Sequence, residues 1–204
     1  HDEAIILYDK VLAIDPNYKF ALNNKGIALN DLGKHDEAII LYDKALEIDP
    51  NYKLALYNKG DTLDNLGKHD EAIILYDMAL AIDPNYKLAL HSKGNALANL
   101  GKHEEAIILY DQALEIEPND KLALYNKGLA LYNLGKHEEA ITYYDKALEI
   151  DPNCTDTLYY KSHTLFKLNK FTEAKSIIDK FLQINPNNKG AKELLEKIKK
   201  ELSK

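Results

Sequence analysis

The chain of 204 residues carries 26 basic and 33 acidic side chains, and its net charge of -7 disfavours nucleic acid or an anionic membrane as its main partner. No run is long and apolar enough to span a bilayer and none reads as a signal peptide, while the single cysteine, Cys154, excludes an intrachain disulfide and fits a reducing cytoplasm. Every basic side chain is a lysine, so no guanidinium fork is available for two-point capture of a carboxylate or phosphate.

Six prolines, Pro16, Pro50, Pro84, Pro118, Pro152 and Pro186, each stand 34 residues after the last. A period of that length marks stacked supersecondary units. With position 1 set at Lys19, His1 falls at position 17, so residues 1–18 read as the second helix of a unit and the pattern predicts continuation upstream. Complete units follow at 19–52, 53–86, 87–120, 121–154 and 155–188, the whole chain forming one array. The last of them drifts, with Ser162, Asn169, Phe171 and Phe181 where the others have Gly, Gly, His and Ala. Residues 189–204 read as a capping helix with Ala191, Leu195, Ile198 and Leu202 on one face, and with Lys192, Glu196 and Lys199 where a following helix would need apolar contacts.

The unit 121–154 shows the local logic. Leu122, Leu124, Leu129, Leu131 and Leu134 supply the apolar positions of a first helix, A, ended by Gly135, which can take the left-handed conformation of a helix exit. Glu138 and Glu139 suit the start of a second helix, B, along which Ala140, Ile141, Tyr144, Ala147, Leu148 and Ile150 recur at helical spacing. Asp151-Pro152 is expected to stop helix B and to serve as cap and first position of the next helix. Small residues at positions 8, 20 and 27 (Gly128, Ala140, Ala147) let the two helices approach closely. One pair cannot offset its own ordering entropy, so stability must come from stacking on neighbours.

Small residues at 8, 20 and 27, an aromatic at 24, proline at 32 and glycine at 15 together resemble the tetratricopeptide repeat family over nearly the whole chain. The chain departs from that family at position 4, where a large aromatic is replaced by Leu22, Leu56, Leu90, Leu124 and Leu158. The resemblance implies an all-α fold, a right-handed α-solenoid superhelix of antiparallel helix pairs, with a groove lined by the A helices at positions 2, 5, 6, 9, 12 and 13.

On those positions the candidate binding residues fall into rows. Position 6 reads Asn24, Asn58, Ser92, Asn126, Tyr160, and resembles the asparagine ladder of the O-linked N-acetylglucosamine transferase superhelix, which holds peptide backbone; Asn24, Asn58 and Asn126 carry over, and Ser92 and Tyr160 interrupt the row. An asparagine amide both donates and accepts, which suits side-chain-independent capture of an extended peptide. Position 13 adds Asn65, Asn99 and Asn133 to a second polar row, for which a role in ending helix A is the alternative. Position 5 contributes Tyr57, His91 and Tyr125, position 9 Asp61 and Asn95, and position 12 Asp64 and Tyr132. Tyrosine suits recognition surfaces, though here it could instead cover the neighbouring helix. Asp31, Asp61 and Asp64 gather toward the N-terminal half and aromatics toward the C-terminal half, which predicts a preference for a basic segment at one end and apolar or aromatic residues at the other.

Other chemistries are set aside. The position-17 histidines, His1, His35, His69, His103 and His137, lie on successive units about 8–10 Å apart, too far to share a metal, and read as packing residues. The lysine and arginine clamp with which chaperone-binding relatives hold a terminal carboxylate is absent. No nucleophile with its base, phosphate loop or acid/base pair stands out, so no catalysis, cofactor or metal is expected. The expected function is a non-enzymatic protein-protein interaction scaffold binding a protein or peptide ligand. The alternatives are the recognition arm of a larger enzyme, such as a glycosyltransferase, and self-association through the open face of the first helix near Ile5, Ile6, Tyr8 and Leu12.

Overall fold

Alternating stretches of leucine-rich and alanine-rich periodicity, each 13 or 14 residues long, become helices throughout the computed structural model, which describes residues 2–204. His1 of the position-17 row lies outside the described residues. The chain divides after Gly101 into two compact units. The first contains α1 (Asp2–Ile14), α2 (Lys19–Asp31), α3 (His35–Ile48), α4 (Lys53–Asn65), α5 (His69–Ile82) and α6 (Lys87–Asn99). The second contains α7 (His103–Ile116), α8 (Lys121–Asn133), α9 (His137–Ile150), α10 (Thr155–Lys167), α11 (Phe171–Ile184) and α12 (Lys189–Leu202). No described helix is long and apolar enough to cross a membrane.

Helix A ends as its glycine predicts. Gly33, Gly67, Gly101 and Gly135 have φ of 75 to 76°, and after α2 the Gly33 N–H donates to Asn30 O and the Lys34 N–H to Leu29 O, the paired bonds of a left-handed helix exit. Asn169 takes over this place at φ 58°. The aspartate-proline expectation needs correction. Asp49 closes α3 and accepts from the Asn51 N–H, Pro50 lies in a turn closed by Tyr52 N–H to Asp49 O, and α4 begins only at Lys53. Proline therefore sits in the turn, not at the first helical position, because two further residues are needed to reverse the chain. Among the described residues, only Asp120 and Asn188 cap a following A helix with a side-chain acceptor, at 3.0 and 2.9 Å.

Within each pair the small residues take the contact. Ala38, Ala45, Ala72 and Ala79 are fully buried, and the Tyr42 ring lies over Gly26 as the Tyr76 ring lies over Gly60. Tyr144 repeats this over Gly128 in the second unit. Successive pairs are joined by lysines at position 7 reaching back to the aspartate of the previous B helix: Lys25 to Asp9, Lys59 to Asp43, Lys93 to Asp77, Lys127 to Asp111 and Lys161 to Asp145.

Two sequence expectations about the ends shift by a fraction of a turn. The seated face of α12 is Ala191, Leu194 and Ile198, packed on Leu158, Ile178 and Phe181, while Leu195 is half-buried and Leu202 exposed. In α1, Ile5 and Leu12 pack against the apolar clusters of α2 and α3 and Tyr8 is half-buried, while Ile6 is exposed as expected and is joined on the open face by Leu7, Val11 and Ile14.

Candidate peptide-binding surface

In the first unit α4 touches both α2 and α6, so three A helices line one face, and in the second α10 likewise touches α8 and α12. Helical periodicity then sorts the predicted rows. Positions 5, 9 and 12 sit half-buried at the seams in most units, whereas Asn24, Asn65, Asn95, Asn99 and Asn133 are exposed. Asn58 and Asn126 are half-buried, as are Tyr57, His91, Tyr125 and Tyr132.

A register of 35 residues couples position 5 of one A helix to position 6 of the next. Asn58 Nδ2 donates to Asn23 Oδ1 at 2.9 Å, the Tyr57 and Ser92 hydroxyls lie 3.5 Å apart, and the Tyr125 and Tyr160 rings stand 6.1 Å apart. Asn23 is buried and donates in turn to Asn24 Oδ1 at 3.2 Å, so one amide beneath the surface holds two ladder amides in place. In the sequence this residue stands out as a polar exception in a row otherwise aromatic, but nothing local marks it for burial. Tyr57 and Tyr125 do cover neighbouring helices, Tyr57 against Tyr76 and Tyr86 and Tyr125 against Tyr144, while keeping part of each ring open.

The second polar row is less regular. Asn65 donates to Asp61 Oδ2 at 3.3 Å on its own helix, and Asn99 and Asn133 are the last residues of α6 and α8, where the capping N–H groups go to backbone carbonyls. Three of the described position-17 histidines start B helices and turn back on position 12: His35 Nδ1 lies 2.8 Å from Asn30 Oδ1, His69 Nδ1 2.6 Å from Asp64 Oδ1, and the His137 ring 5.2 Å from that of Tyr132. Among the described residues no three potential ligands converge as a metal site would need.

Electrostatics distinguish the two units. On α4, burial and the neighbouring Asp64 charge push the Asp61 carboxyl above the usual carboxylate range, with the Asn65 amide opposing. Burial pushes the Tyr42 phenol up to about 12, eased by the nearby Thr62 hydroxyl and raised further by Asp61 and Asp31. Tyr57 and Tyr76 are pushed up chiefly by burial and also by Asp61, with Asp64 acting on Tyr76 as well. Three phenols thus face the same small group of carboxylates. In the second unit the corresponding Tyr144 phenol is raised by burial and by Tyr125, Tyr160 and Tyr132, with no carboxylate among the causes. Tyr159 extends this aromatic group, touching Tyr160, His163 and Phe181.

Models of the tetratricopeptide repeat match residues 20–85, 75–108 and 122–154, a TPR repeat model matches 94–135, and a model of the Fis1 C-terminal tetratricopeptide repeat matches 155–204. A comparison with curated proteins gives no match. Among solved structures, MamA is 31% identical, with 74% of this chain and 88% of that one aligned at a TM-score of 0.69. YrrB, described as a TPR protein with an unusual peptide-binding site, is 24% identical over 95% of this chain and 97% of its own, at a TM-score of 0.77. PilF of Pseudomonas aeruginosa is 24% identical over 91% of this chain and 86% of its own, at a TM-score of 0.79.

Proposed function

The chain belongs to the tetratricopeptide repeat family, and on that premise we propose that it is a non-enzymatic interaction scaffold whose A-helix face holds an extended peptide or protein segment. The observation that carries this reading is the buried Asn23 amide, which fixes Asn24 and Asn58 while leaving each with hydrogen-bonding capacity toward the surface. Amides held in place before a ligand arrives cost less ordering on binding, and they pair with peptide backbone whatever its side chains. The aromatic group around Tyr125, Tyr132 and Tyr160 in the second unit adds contact area with polar tips.

The test is selection from a displayed library of unstructured peptides, with the wild-type chain and an Asn24→Ala, Asn58→Ala, Asn126→Ala variant as baits. The wild type is expected to enrich peptides that the variant binds about tenfold or more weakly, in line with losing several hydrogen bonds of order 1 kcal/mol each. Equal enrichment and equal affinity for both baits would show that the row is structural and overturn the proposal.

A further inference from the structure

Asp61 is the unusual residue of the face. Position 9 holds Ile27, Asn95, Leu129 and His163 in the other units, so the fold accepts apolar, amide and aromatic side chains there and does not require an acid. The same holds at position 12, where Asp64 has Tyr132 as its counterpart. In spite of this freedom the first unit sets two carboxylates one turn apart on α4, both half-buried. Asp64 has His69 beside it, whereas Asp61 receives only the 3.3 Å hydrogen bond from Asn65, and no cation of the described residues pairs with it. Partly desolvated negative charge without a counter-ion is unfavourable in the free protein and becomes favourable when a cation arrives.

A second observation points the same way. Tyr76 is fully buried, and its hydroxyl has no hydrogen-bond partner. It lies close enough to Asp64 and Asp61 for both charges to oppose its ionisation, and near enough to Ser92 to be eased by that hydroxyl without a hydrogen bond of normal geometry. Ser92 also stands 3.5 Å from the Tyr57 hydroxyl. Two carboxylates and three hydroxyls therefore cluster where α4, α5 and α6 meet. The counterpart phenol Tyr144 is equally unpartnered, but its neighbours are Tyr125, Tyr132 and Tyr160, and no carboxylate is among the groups that raise it.

We propose that this cluster receives a cationic side chain, the ammonium of a lysine or the guanidinium of an arginine in the bound segment, seated against Asp61 and Asp64 with the half-buried Tyr57 and Ser92 hydroxyl oxygens as further acceptors. The proposal rests on the reading of the A-helix face as a peptide holder and names the chemistry of one of its subsites. A side-chain cation fits better than a bare metal ion, since a divalent cation would need about six convergent oxygens and the described residues converge no such set. It fits better than an anion, since the whole chain offers no arginine and no lysine is among the groups that act on Asp61, Tyr57 or Tyr76.

The test separates this subsite from the backbone ladder. The probes are Nα-acetyl-lysine methylamide and its uncharged counterpart Nα-acetyl-norleucine methylamide, titrated into the full chain by amide chemical-shift mapping, and a matched pair of library-selected peptides carrying lysine or norleucine at one position. The lysine probe is expected to shift amides of Asp61, Asp64, Asn65 and Ser92 saturably, and Asp61→Asn is expected to weaken it and the lysine peptide roughly five- to tenfold. Glu71→Gln, an exposed acid on α5, is expected to change neither. Loss of lysine preference in Asp61→Asn with retained norleucine-peptide binding supports the subsite. Equal shifts from both probes, or an unchanged lysine response in Asp61→Asn, overturns it. Failure of the backbone ladder shows separately, as wild-type peptide affinity in the triple asparagine variant.

Discussion

A Cβ placed on Gly60 would stand 2.8 Å from Cε1 of Tyr76, a distance that side chains do not tolerate, so helix A and helix B meet through the face of a phenol ring. The ring is fully buried and cannot swing aside cheaply. Gly60→Ala gains about 1 kcal/mol of helix propensity but forces the pair apart, and overpacking of this kind costs about 1 to 3 kcal/mol. A net loss of up to about 2 kcal/mol is expected in urea unfolding. The unit 155–188 shows the compensated form, with Ser162 at the glycine position opposite Ile178 at the tyrosine position. Gly60→Ser combined with Tyr76→Ile should therefore be more stable than Gly60→Ser alone.

Asp61 should show a stability cost of opposite sign to that of most acids. Its folded-state pKa is raised, mainly by burial and then by Asp64, against an unfolded value of about 3.9. The folded state resists ionisation, so the penalty is fully present above the raised folded pKa and disappears as pH falls below the unfolded one. The facing groups are Tyr57, Asp64 and Asn65 on its own helix, Tyr42 on α3, Tyr76 on α5 and, through Asp64, His69. Asp61→Asn is thus expected to stabilise the free chain at pH 7, by less than about 1 kcal/mol because the group is partly solvated. The gain should shrink toward zero near pH 3, which thermal unfolding across that range will check.

The fold was readable from the sequence because each local rule repeats on a 34-residue period: the glycine exits, the alanine contacts and the tyrosine at position 24 recur where packing needs them. What a reading of one repeat could not supply is how successive repeats meet. Asn23 looks like a surface amide in isolation, and only the 35-residue register that sets it against Asn58 explains its burial. The lysines at position 7 likewise look like solvated charges, yet each finds an aspartate 16 residues earlier on the preceding helix. Pro50 was misplaced for a related reason, since its neighbours close a turn through Asp49 and Tyr52 before the next helix starts. The acidic drift at Asp61 and Asp64 was visible as composition, whereas the convergence of Tyr42, Tyr57 and Tyr76 on it needed three helices in place.

Those ion pairs between successive repeats differ enough to be ranked. The Lys127 ammonium reaches Asp111, donates to the Tyr143 hydroxyl at 2.7 Å and lies 4.1 Å from the centre of that ring, with its side chain 10% exposed. Lys25 meets only the half-exposed Asp9, and its side chain is 21% exposed. Lys127→Ala is expected to cost about 2 kcal/mol, through lost ring packing and an abandoned aspartate, and Lys25→Ala less than about 1. Lys127→Met, which keeps the stem against Tyr143, should fall between them. Urea unfolding of the three variants gives the order, and adding salt should narrow the Lys25 difference more than the Lys127 one.

Asn23 offers the sharpest separation of positioning from contact. Its amide donates to Asn24 and accepts from Asn58, and it is 1% exposed, so it cannot itself touch a bound segment. Asn23→Ala removes both bonds and leaves a small void. The half-buried Asn58 amide can turn to water, which places the stability loss toward the lower part of the range of about 1 to 3 kcal/mol. Peptide affinity should also fall, by roughly three- to tenfold, since Asn24 and Asn58 lose the fixed orientation that made them inexpensive to pair. A double-mutant cycle decides whether the effect runs through Asn58. If it does, Asn23→Ala in an Asn58→Ala background should weaken binding much less than in the wild type, with a coupling of about 0.5 to 1 kcal/mol. Strictly additive losses would mean that the effect of Asn23 on binding does not run through Asn58.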